Sequence, residues 1–234
     1  KTPFADRHHG FPNSLSRAAA GSITQDKKMP SIQRLLPFVA AMALVVVASN
    51  ILVLYPFDHF GLKDVLTWGA FTYPVAFLVN DLTNRRYGKA MARRVVYVGF
   101  AIAVILSIYL ATPRIAIASG LAFLTGQLLD IQVFDRLRRT SWWKAPFMGT
   151  VFGSALDTLI FFTFAFAPAF AGIDALFGMQ DGSLGFPASL FGNEAPLWIT
   201  LAFGDFCVKM LMGVLALIPY GALLNVLKPV EGVR

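Results

Sequence analysis

Long apolar runs dominate the sequence, and they constrain the fold more than any other feature. The apolar residues come in blocks of about 20 rather than in alternation, the length that crosses the ~30 Å hydrocarbon core of a bilayer. Composition agrees, since 56% of the 234 residues are hydrophobic and 14% are charged, whereas soluble domains carry about 25% charged residues. The sequence therefore predicts an all-α integral membrane protein rather than a soluble domain.

Six apolar runs are predicted as transmembrane helices. They lie near residues 35–55, 65–82, 95–112, 114–134, 147–169 and 197–220. The predicted six-helix domain spans 31–228 and includes one long periplasmic loop, 171–195, which could be a lid or a connector, and the length of the loop favours a connector. The polar segment 1–30 has no apolar core, so it is not predicted to be a signal peptide. We expect it to be a leader, an expression remnant or a flexible extension outside any site, with a natural start at Met29.

The cationic residues are distributed unevenly over the predicted connections. Of the 20 Lys and Arg residues, almost all fall in the two terminal segments and in the second and fourth connections, and the opposite side receives only Lys63 and Arg114. Because loops rich in Lys and Arg stay in the cytoplasm, both termini are predicted to be cytoplasmic, as six spans require. The net charge of +7 is thereby explained without a nucleic-acid partner.

Two acids and a lysine lie deep in the last two predicted spans. Asp157 and Asp205 each lie about ten residues into a span, near the bilayer midplane. Charged groups in this position cost several kcal/mol unless they are paired or solvated, so they are candidates for a functional site. Lys209 follows Asp205 by four residues on the same helical face, so these two side chains could instead neutralise one another.

Further polar residues lie in or beside the other predicted spans. Asp130 and Gln127 share a face of the fourth span, and Asp81 lies near the cytoplasmic end of the second. Asp81 could belong to a site or could pair with Arg85, four residues later. Asn50 and Gln127 could bind a ligand or only hydrogen-bond neighbouring helices.

Stripes of small residues lead to two of the acids. In the fifth span Gly149 and Gly153 precede Asp157 in steps of four. The fourth span has the same spacing in Ala118, Ala122, Gly126 and Asp130. Small residues at this spacing let helices approach closely, so both acids are expected to face neighbouring helices or a cavity rather than lipid.

Five separated segments carry a family resemblance. They are TWGAFTYPVAFLVNDLTNRRYGKAMARRVV (67–96), GQLLDIQVFDRLRR (126–139), WWKAP (142–146), LDTLIFFTFAF (156–166) and DFCVK (205–209). In this order they resemble the bacterial queuosine precursor transporter family, also called the vitamin uptake transporter family. The resemblance implies a six-helix protein of the bacterial inner membrane that takes up 7-cyano- or 7-aminomethyl-7-deazaguanine without an ATPase module or a cofactor. Asn80 departs from the family pattern, where a small residue is expected beside Asp81.

The resemblance, taken with the chemistry of such a base, gives a set of site residues. A guanine-like edge offers adjacent N–H donors to a carboxylate and a carbonyl to an amide or ammonium, and its ring stacks on an aromatic side chain. We expect Asp130, Asp157 and Asp205 to be the substrate acids. The predicted substrate-binding residues are Asn50, Tyr73, Asp81, Gln127, Asp130, Asp157, Asp205 and Lys209, and Arg85 is predicted to gate release or to pair with Asp81.

Two functions of other classes are weighed against this one. The first is the substrate-binding subunit of an energy-coupling-factor transporter, although an Ala-xxx-Ala pair typical of those subunits is missing from the first span. The second is an intramembrane aspartyl protease using Asp157 and Asp205, although the chain reads Leu156 before the first acid and AFGD at the second. Neither HExxH nor GxSxG occurs, so metal or serine hydrolase chemistry is not predicted. Oligomeric state and the choice between proton-coupled and facilitated transport stay open.

Overall fold

The described part of the chain is mostly helical. The computed structural model describes residues 32–52, 55, 57–59, 66–190 and 193–230. In chain order the helices are α1 (Ile32–Leu52), α2 (Gly69–Thr72), α3 (Val75–Tyr87), α4 (Lys89–Leu110), α5 (Pro113–Leu137), α6 (Lys144–Phe166), α7 (Ala171–Leu176) and α8 (Leu197–Leu223). Within this part of the chain, five helices are long and apolar enough to cross a membrane: α1, α4, α5, α6 and α8. Each overlaps a predicted span. The segment 1–30 lies outside the described residues.

The second predicted span, 65–82, is not one continuous helix. It is divided at Tyr73 and Pro74 into α2 and α3, neither of which qualifies as a membrane-crossing helix. Pro74 has no N–H to donate, so regular α-helical hydrogen bonding cannot continue through this position. The polar residues of α3 are also unlike those of a lipid-facing helix. The count of six membrane-crossing helices is therefore not confirmed, and the cytoplasmic position of both termini stays a prediction.

Short junctions determine how α3, α4 and α5 follow one another. Gly88 alone separates α3 from α4, and its φ of 81° is in the region that favours glycine. The Gly88 N–H donates to the Asn84 carbonyl, which ends α3. α5 begins with the Thr112 side chain accepting a hydrogen bond from the Ile115 N–H and with proline at its first position, a common start of a helix.

α3 lies at the centre of the bundle and contacts all five long helices. Its buried residues include both apolar and polar side chains, among them Phe77, Asn80 and Asp81. A broken helix with polar groups is tolerated at membrane depth where protein surrounds it, because neighbouring helices can satisfy its polar atoms. The break and the burial together place the polar residues of α3 where a site between helices can form.

The segment between α6 and α8 is more ordered than a plain connector. It contains a 3-10 turn (Pro168–Phe170), α7 and two antiparallel strands, β1 (Pro187–Leu190) and β2 (Asn193–Pro196). Pro187 pairs with Pro196 and Leu190 with Asn193. The segment therefore has secondary structure of its own, and its role as a connector or a lid stays a prediction.

Candidate functional site

A buried ion cluster lies between α6 and α8 and is centred on Lys209. The Lys209 Nζ lies 2.6 Å from Asp157 Oδ2 and 2.5 Å from Asp205 Oδ2. The side chains of Lys209 and Asp157 are each 5% exposed, and that of Asp205 is 18% exposed. The pair that the i, i+4 spacing of Asp205 and Lys209 allows is therefore formed, and Lys209 also binds the acid from the neighbouring helix. We call these three residues the lysine cluster.

Two hydroxyl groups complete the lysine cluster. Tyr73, at the break between α2 and α3, donates its hydroxyl to Asp157 Oδ1 at 2.7 Å, and its ring lies 5.3 Å from the Lys209 Nζ. Thr158 donates to Asp205 Oδ2 at 2.7 Å and accepts from the Lys209 Nζ at 3.0 Å. The lysine cluster thus connects α6 and α8 with the broken helix. Sequence reasoning predicted Tyr73 as a site residue but missed Thr158.

A second polar cluster lies where α3 meets α5. Asn80 Nδ2 donates to Asp130 Oδ2 at 2.7 Å and to the Gln127 backbone carbonyl at 3.2 Å. All three side chains are fully buried. We call Asn80, Gln127 and Asp130 the amide cluster. Asn80 was noted in the sequence only as a departure from the family pattern, yet it joins the two predicted residues Gln127 and Asp130.

Much of the hydrogen-bonding capacity of the amide cluster is unused. Among the described residues, no hydrogen-bond partner is found for four buried atoms of this cluster: Asn80 Oδ1, Asp130 Oδ1, and Nε2 and Oε1 of Gln127. Ser154 Oγ on α6 and Asp81 Oδ1 on α3 are also buried and unpartnered. An unsatisfied buried polar group costs roughly 1–3 kcal/mol, so a polar ligand that satisfied several of these atoms would gain affinity from each.

Asp81 lies beside a narrow cleft, but it does not pair with Arg85. The cleft is lined by Asp81, Pro74, Thr150 and Tyr220 among others. Arg85 Nη1 lies 3.5 Å from the Tyr220 hydroxyl of α8, and its guanidinium lies 5.9 Å from the centre of that ring. Among the described residues, Asp81 and Arg85 form no ion pair, so this prediction is wrong. The guanidinium of Arg85 contacts Tyr220 instead, although the i, i+4 spacing would have allowed a contact with Asp81. A role of Arg85 in gating stays a prediction.

Asn50 belongs to neither cluster. Its side-chain amide donates to the Val46 carbonyl within α1 at 2.9 Å. Such back-bonding satisfies the amide within its own helix. The structure thus brings together Tyr73, Asp157, Asp205 and Lys209 in one cluster and Gln127 and Asp130 in the other, and leaves Asn50 apart. Among the residues that the structure describes, no group of three or more His, Cys, Asp or Glu could hold a metal ion.

The small residues let α5 and α6 come close enough for these clusters to form. A Cβ atom at Gly126 would lie 2.9 Å from Asp157 Cβ and 2.9 Å from the Gly153 carbonyl oxygen, and one at Gly153 would lie 3.1 Å from Asp130 Cβ. Asp157 of α6 therefore packs against Gly126 of α5, and Asp130 of α5 packs against Gly153 of α6. This confirms that both stripes lie at close helix contacts and that both acids face a neighbouring helix.

Replacing Gly126 with alanine is therefore expected to destabilise the protein by about 1–3 kcal/mol, the usual effect of overpacking. The new Cβ would meet a backbone carbonyl, which cannot rotate away. Gly172→Ala is the matched control, since a Cβ there has nothing within 4 Å and alanine favours helix. Thermal unfolding in detergent, followed by tryptophan fluorescence, should show a lower midpoint for Gly126→Ala alone. Equal midpoints would mean that the two helices are not closely packed at Gly126.

A buried arginine fastens the segment between α6 and α8. Arg114 is 1% exposed and donates to Asp174 Oδ2 at 2.7 Å and to Ser183 Oγ at 3.1 Å. It also donates to the carbonyls of Phe164 at 2.9 Å and Ala167 at 2.6 Å. Sequence reasoning assigned Arg114 only to a side of the membrane, although a cation on the side that also holds the acidic Asp174 was a signal for this contact.

Comparison of the sequence with known protein families shows to which family the chain belongs. A family model described as “Putative vitamin uptake transporter” matches residues 67–112 and 106–223, a range that contains both clusters. The chain belongs to this family. With its five apolar helices, this member of the vitamin uptake transporter family is a multi-pass membrane protein.

Named relatives carry a more specific description. The chain is 34% identical over 206 residues to the “Queuosine precursor transporter” of Escherichia coli, covering 79% of this chain and 83% of that protein. It is 33% identical over 215 residues to the “Probable queuosine precursor transporter” of Haemophilus influenzae, covering 78% and 83%. A Bacillus subtilis protein of the latter description is 29% identical over 148 residues, covering 51% and 64%. No solved structure gives a significant match. The relatives are transporters, which agrees with the expectation of a non-enzymatic function.

Proposed function

We propose that the chain transports 7-deazaguanine precursors of queuosine, the 7-cyano or 7-aminomethyl base or both, across the bacterial inner membrane. The observation that carries this proposal is the set of unpartnered atoms in the amide cluster. They lie in the centre of the helix bundle, they are buried, and they include both donors and acceptors. The names of the relatives supply the class of substrate.

The free atoms of the amide cluster fit a guanine-like edge. Such an edge presents adjacent N–H donors and one carbonyl acceptor. Asp130 Oδ1 and Asn80 Oδ1 accept hydrogen bonds from the N–H groups, and Gln127 Nε2 donates to the carbonyl. Asp130 thus accepts from the base, and the two amides select the pattern of donors and acceptors.

The lysine cluster lines the same bundle but serves less directly as a binding site for the base. Three of its four carboxylate oxygens already accept hydrogen bonds from Lys209, Tyr73 or Thr158. Of the three substrate acids that the sequence suggested, Asp130 is thus the one whose free oxygen is buried beside other unpartnered atoms. Asp157 and Asp205 act on transport through charge.

The cleft beside Asp81 gives the base a route to the amide cluster. Pro74, at the break between α2 and α3, lines the cleft together with Tyr220 of α8. The cleft is narrow, so a base passes only when neighbouring helices move. Broken helices are the elements that commonly move or bind substrate in transporters. Arg85, which contacts Tyr220, is placed to influence this movement.

The geometry argues against an aspartyl protease. Catalytic acids in that class lie close together and share one proton because both cannot ionise. Here the Lys209 ammonium binds both Asp157 and Asp205, so the two acids are held by a cation rather than paired through one shared proton. The energy-coupling-factor alternative is tested separately, since its subunits transport only with an ATPase module and the present proposal requires none.

Exchange of labelled base by the purified protein tests the proposed function. Proteoliposomes loaded with unlabelled 7-cyano-7-deazaguanine are expected to take up the radiolabelled base from outside without ATP. Gln127→Leu removes the amide that donates to the carbonyl of the base, so exchange at low substrate should fall by roughly 5- to 10-fold, at about 1–1.5 kcal/mol for the lost bond. Thr125→Val is the matched control, since among the described residues the Thr125 hydroxyl bonds only to carbonyls of its own helix.

The outcomes of this exchange experiment separate the substrate from the site. No exchange by the native chain above empty liposomes would contradict the transport of this base. Exchange that Gln127→Leu and Thr125→Val leave equally fast would keep the function and remove the amide cluster from it. Exchange that begins only after an ATPase module is added would favour the energy-coupling-factor alternative.

A further inference from the structure

The lysine cluster has one more acid than it has cations. Asp157 and Asp205 are two carboxylates, and Lys209 is the ammonium that both of them contact. Asp157 accepts hydrogen bonds on both oxygens, from Tyr73 on Oδ1 and from Lys209 on Oδ2. Asp205 accepts from Thr158 and contacts Lys209 through Oδ2 alone. Asp205 Oδ1 is therefore the one carboxylate oxygen of the cluster without a hydrogen bond from any described residue.

The other ionisable groups on the helices packed around the lysine cluster do not supply a second cation to its two acids. On α3 these are Asp81 and Arg85, and the Arg85 guanidinium contacts Tyr220 instead. On α5 the facing acid is Asp130, which is bound to Asn80. Among the described residues, Lys209 is the cation that forms ion pairs with Asp157 and Asp205. With all three groups ionised, the cluster carries one net negative charge.

A net charge at the centre of a membrane protein is costly, by several kcal/mol unless it is compensated. Hydrogen bonds from Tyr73 and Thr158 reduce this cost but cancel no charge. One proton does cancel it. Asp205 is the acceptor best placed for that proton, because its Oδ1 is free and its side chain is 18% exposed, against 5% for Asp157. The proton would leave Lys209 paired with the ionised Asp157.

We propose that Asp205 is a proton-binding site and that the transporter moves one proton together with each neutral deazaguanine base. This inference rests on the proposed function, because the base must be a substrate before a proton can be coupled to it. The proton binds Asp205 from the medium on one side of the membrane and leaves it on the other, so no other reactant is required. A proton gradient would then drive accumulation of the base.

The hydrogen bond from Tyr73 connects the proton site with the base site. Tyr73 lies at the break that precedes α3, and α3 carries Asn80 of the amide cluster. When Asp205 binds a proton, Lys209 loses one of its two charged partners and is held by Asp157 alone. Asp157 in turn holds Tyr73. Protonation of Asp205 thereby changes the contacts at the break before α3, the part of the structure whose movement admits or releases the base.

Proton movement is measured directly in proteoliposomes suspended in weakly buffered medium. Addition of 7-cyano-7-deazaguanine should raise the external pH as base and proton enter together, with one proton taken up for each labelled base. A protonophore should abolish the pH change. Net uptake of labelled base into vesicles that contain no base, without any pH change, would overturn the proposal while leaving the proposed function intact. Absence of both base transport and pH change would show that the proposed function itself is wrong.

The ratio of protons to bases then tests the assignment to Asp205. Asp205→Asn should lower this ratio from one to zero in whatever transport remains, and an unchanged ratio would overturn the assignment. Asp135→Asn is the matched control and should keep the native ratio, because Asp135 pairs with Lys89 and Arg138 away from the cluster. If the Asp205→Asn protein transports no base, the Asp205→Glu protein tests the assignment. Transport with the native proton-to-base ratio would support a proton site at position 205, and transport of base without protons would contradict it.

Discussion

Replacing Lys209 with methionine is expected to lower the free energy of unfolding by about 3–5 kcal/mol. The substitution removes the cation that binds both Asp157 and Asp205 and leaves the two carboxylates without it. For a protein of this size, the loss corresponds to a fall in Tm on the order of 10 °C. Thermal unfolding in detergent, read by size-exclusion of a fluorescent fusion, measures the effect.

A matched control separates the buried cluster from an ordinary ion pair. Lys89 pairs with Asp135 at 3.1 Å, but its side chain is 57% exposed, and exposed pairs contribute at most about 1 kcal/mol. Lys89→Met should therefore change Tm little. Adding Asp157→Asn to Lys209→Met should recover part of the lost stability, because the repulsion between the acids disappears. A Lys209→Met protein as stable as the native one would contradict the buried ion cluster.

Arg114→Met is expected to have an effect of similar size, about 3–5 kcal/mol, because it leaves the buried Asp174 without its cation. Two backbone carbonyls lose their donor as well. The segment 168–190 should then detach from the ends of α5 and α6. Limited proteolysis should cut within this segment in the variant at protease concentrations that leave the native protein intact.

Asp181→Asn is the control for this arginine contact. Asp181 lies 3.6 Å from Arg114, but its side chain is 61% exposed. Hydrogen bonds from the Ser183 side chain and backbone lower the pKa of Asp181, so at neutral pH the substitution removes a carboxylate charge. We expect native resistance to protease all the same. Equal cleavage of the Asp181→Asn and Arg114→Met proteins would show that net charge, rather than the buried contact, orders the segment.

The sequence predicts the long helices well and the broken one poorly. α1, α4, α5, α6 and α8 follow from apolar runs, because a helix in a bilayer needs only length and hydrophobicity. α3 is surrounded by protein, so polar residues such as Asn80 and Asn84 are tolerated there and obscure the pattern. Pro74 was the local signal for the break. Its consequence depended on the packing of the other helices around α3.

In the candidate site, contacts within one helix could be predicted from the sequence, whereas contacts between helices could not. The spacing of Asp205 and Lys209 foretold their contact, since it needs only one helix. The contact of Asp157 with the same lysine needs α6 and α8 to pack at that height. The Tyr220 contact of Arg85 likewise joins residues far apart in sequence. Local spacing alone favoured Asp81 as the partner of Arg85, and that prediction was wrong for this reason.

Queuosine in tRNA is the measurement that tests the central claim most directly. A bacterium that neither synthesises the precursor nor has its own transporter is given nanomolar 7-cyano-7-deazaguanine, and queuosine is assayed by boronate gel shift. Expression of this chain should produce shifted tRNA, and the Gln127→Leu chain at the same membrane level should produce much less. Unshifted tRNA from cells in which the native chain is folded and membrane-inserted would contradict the account.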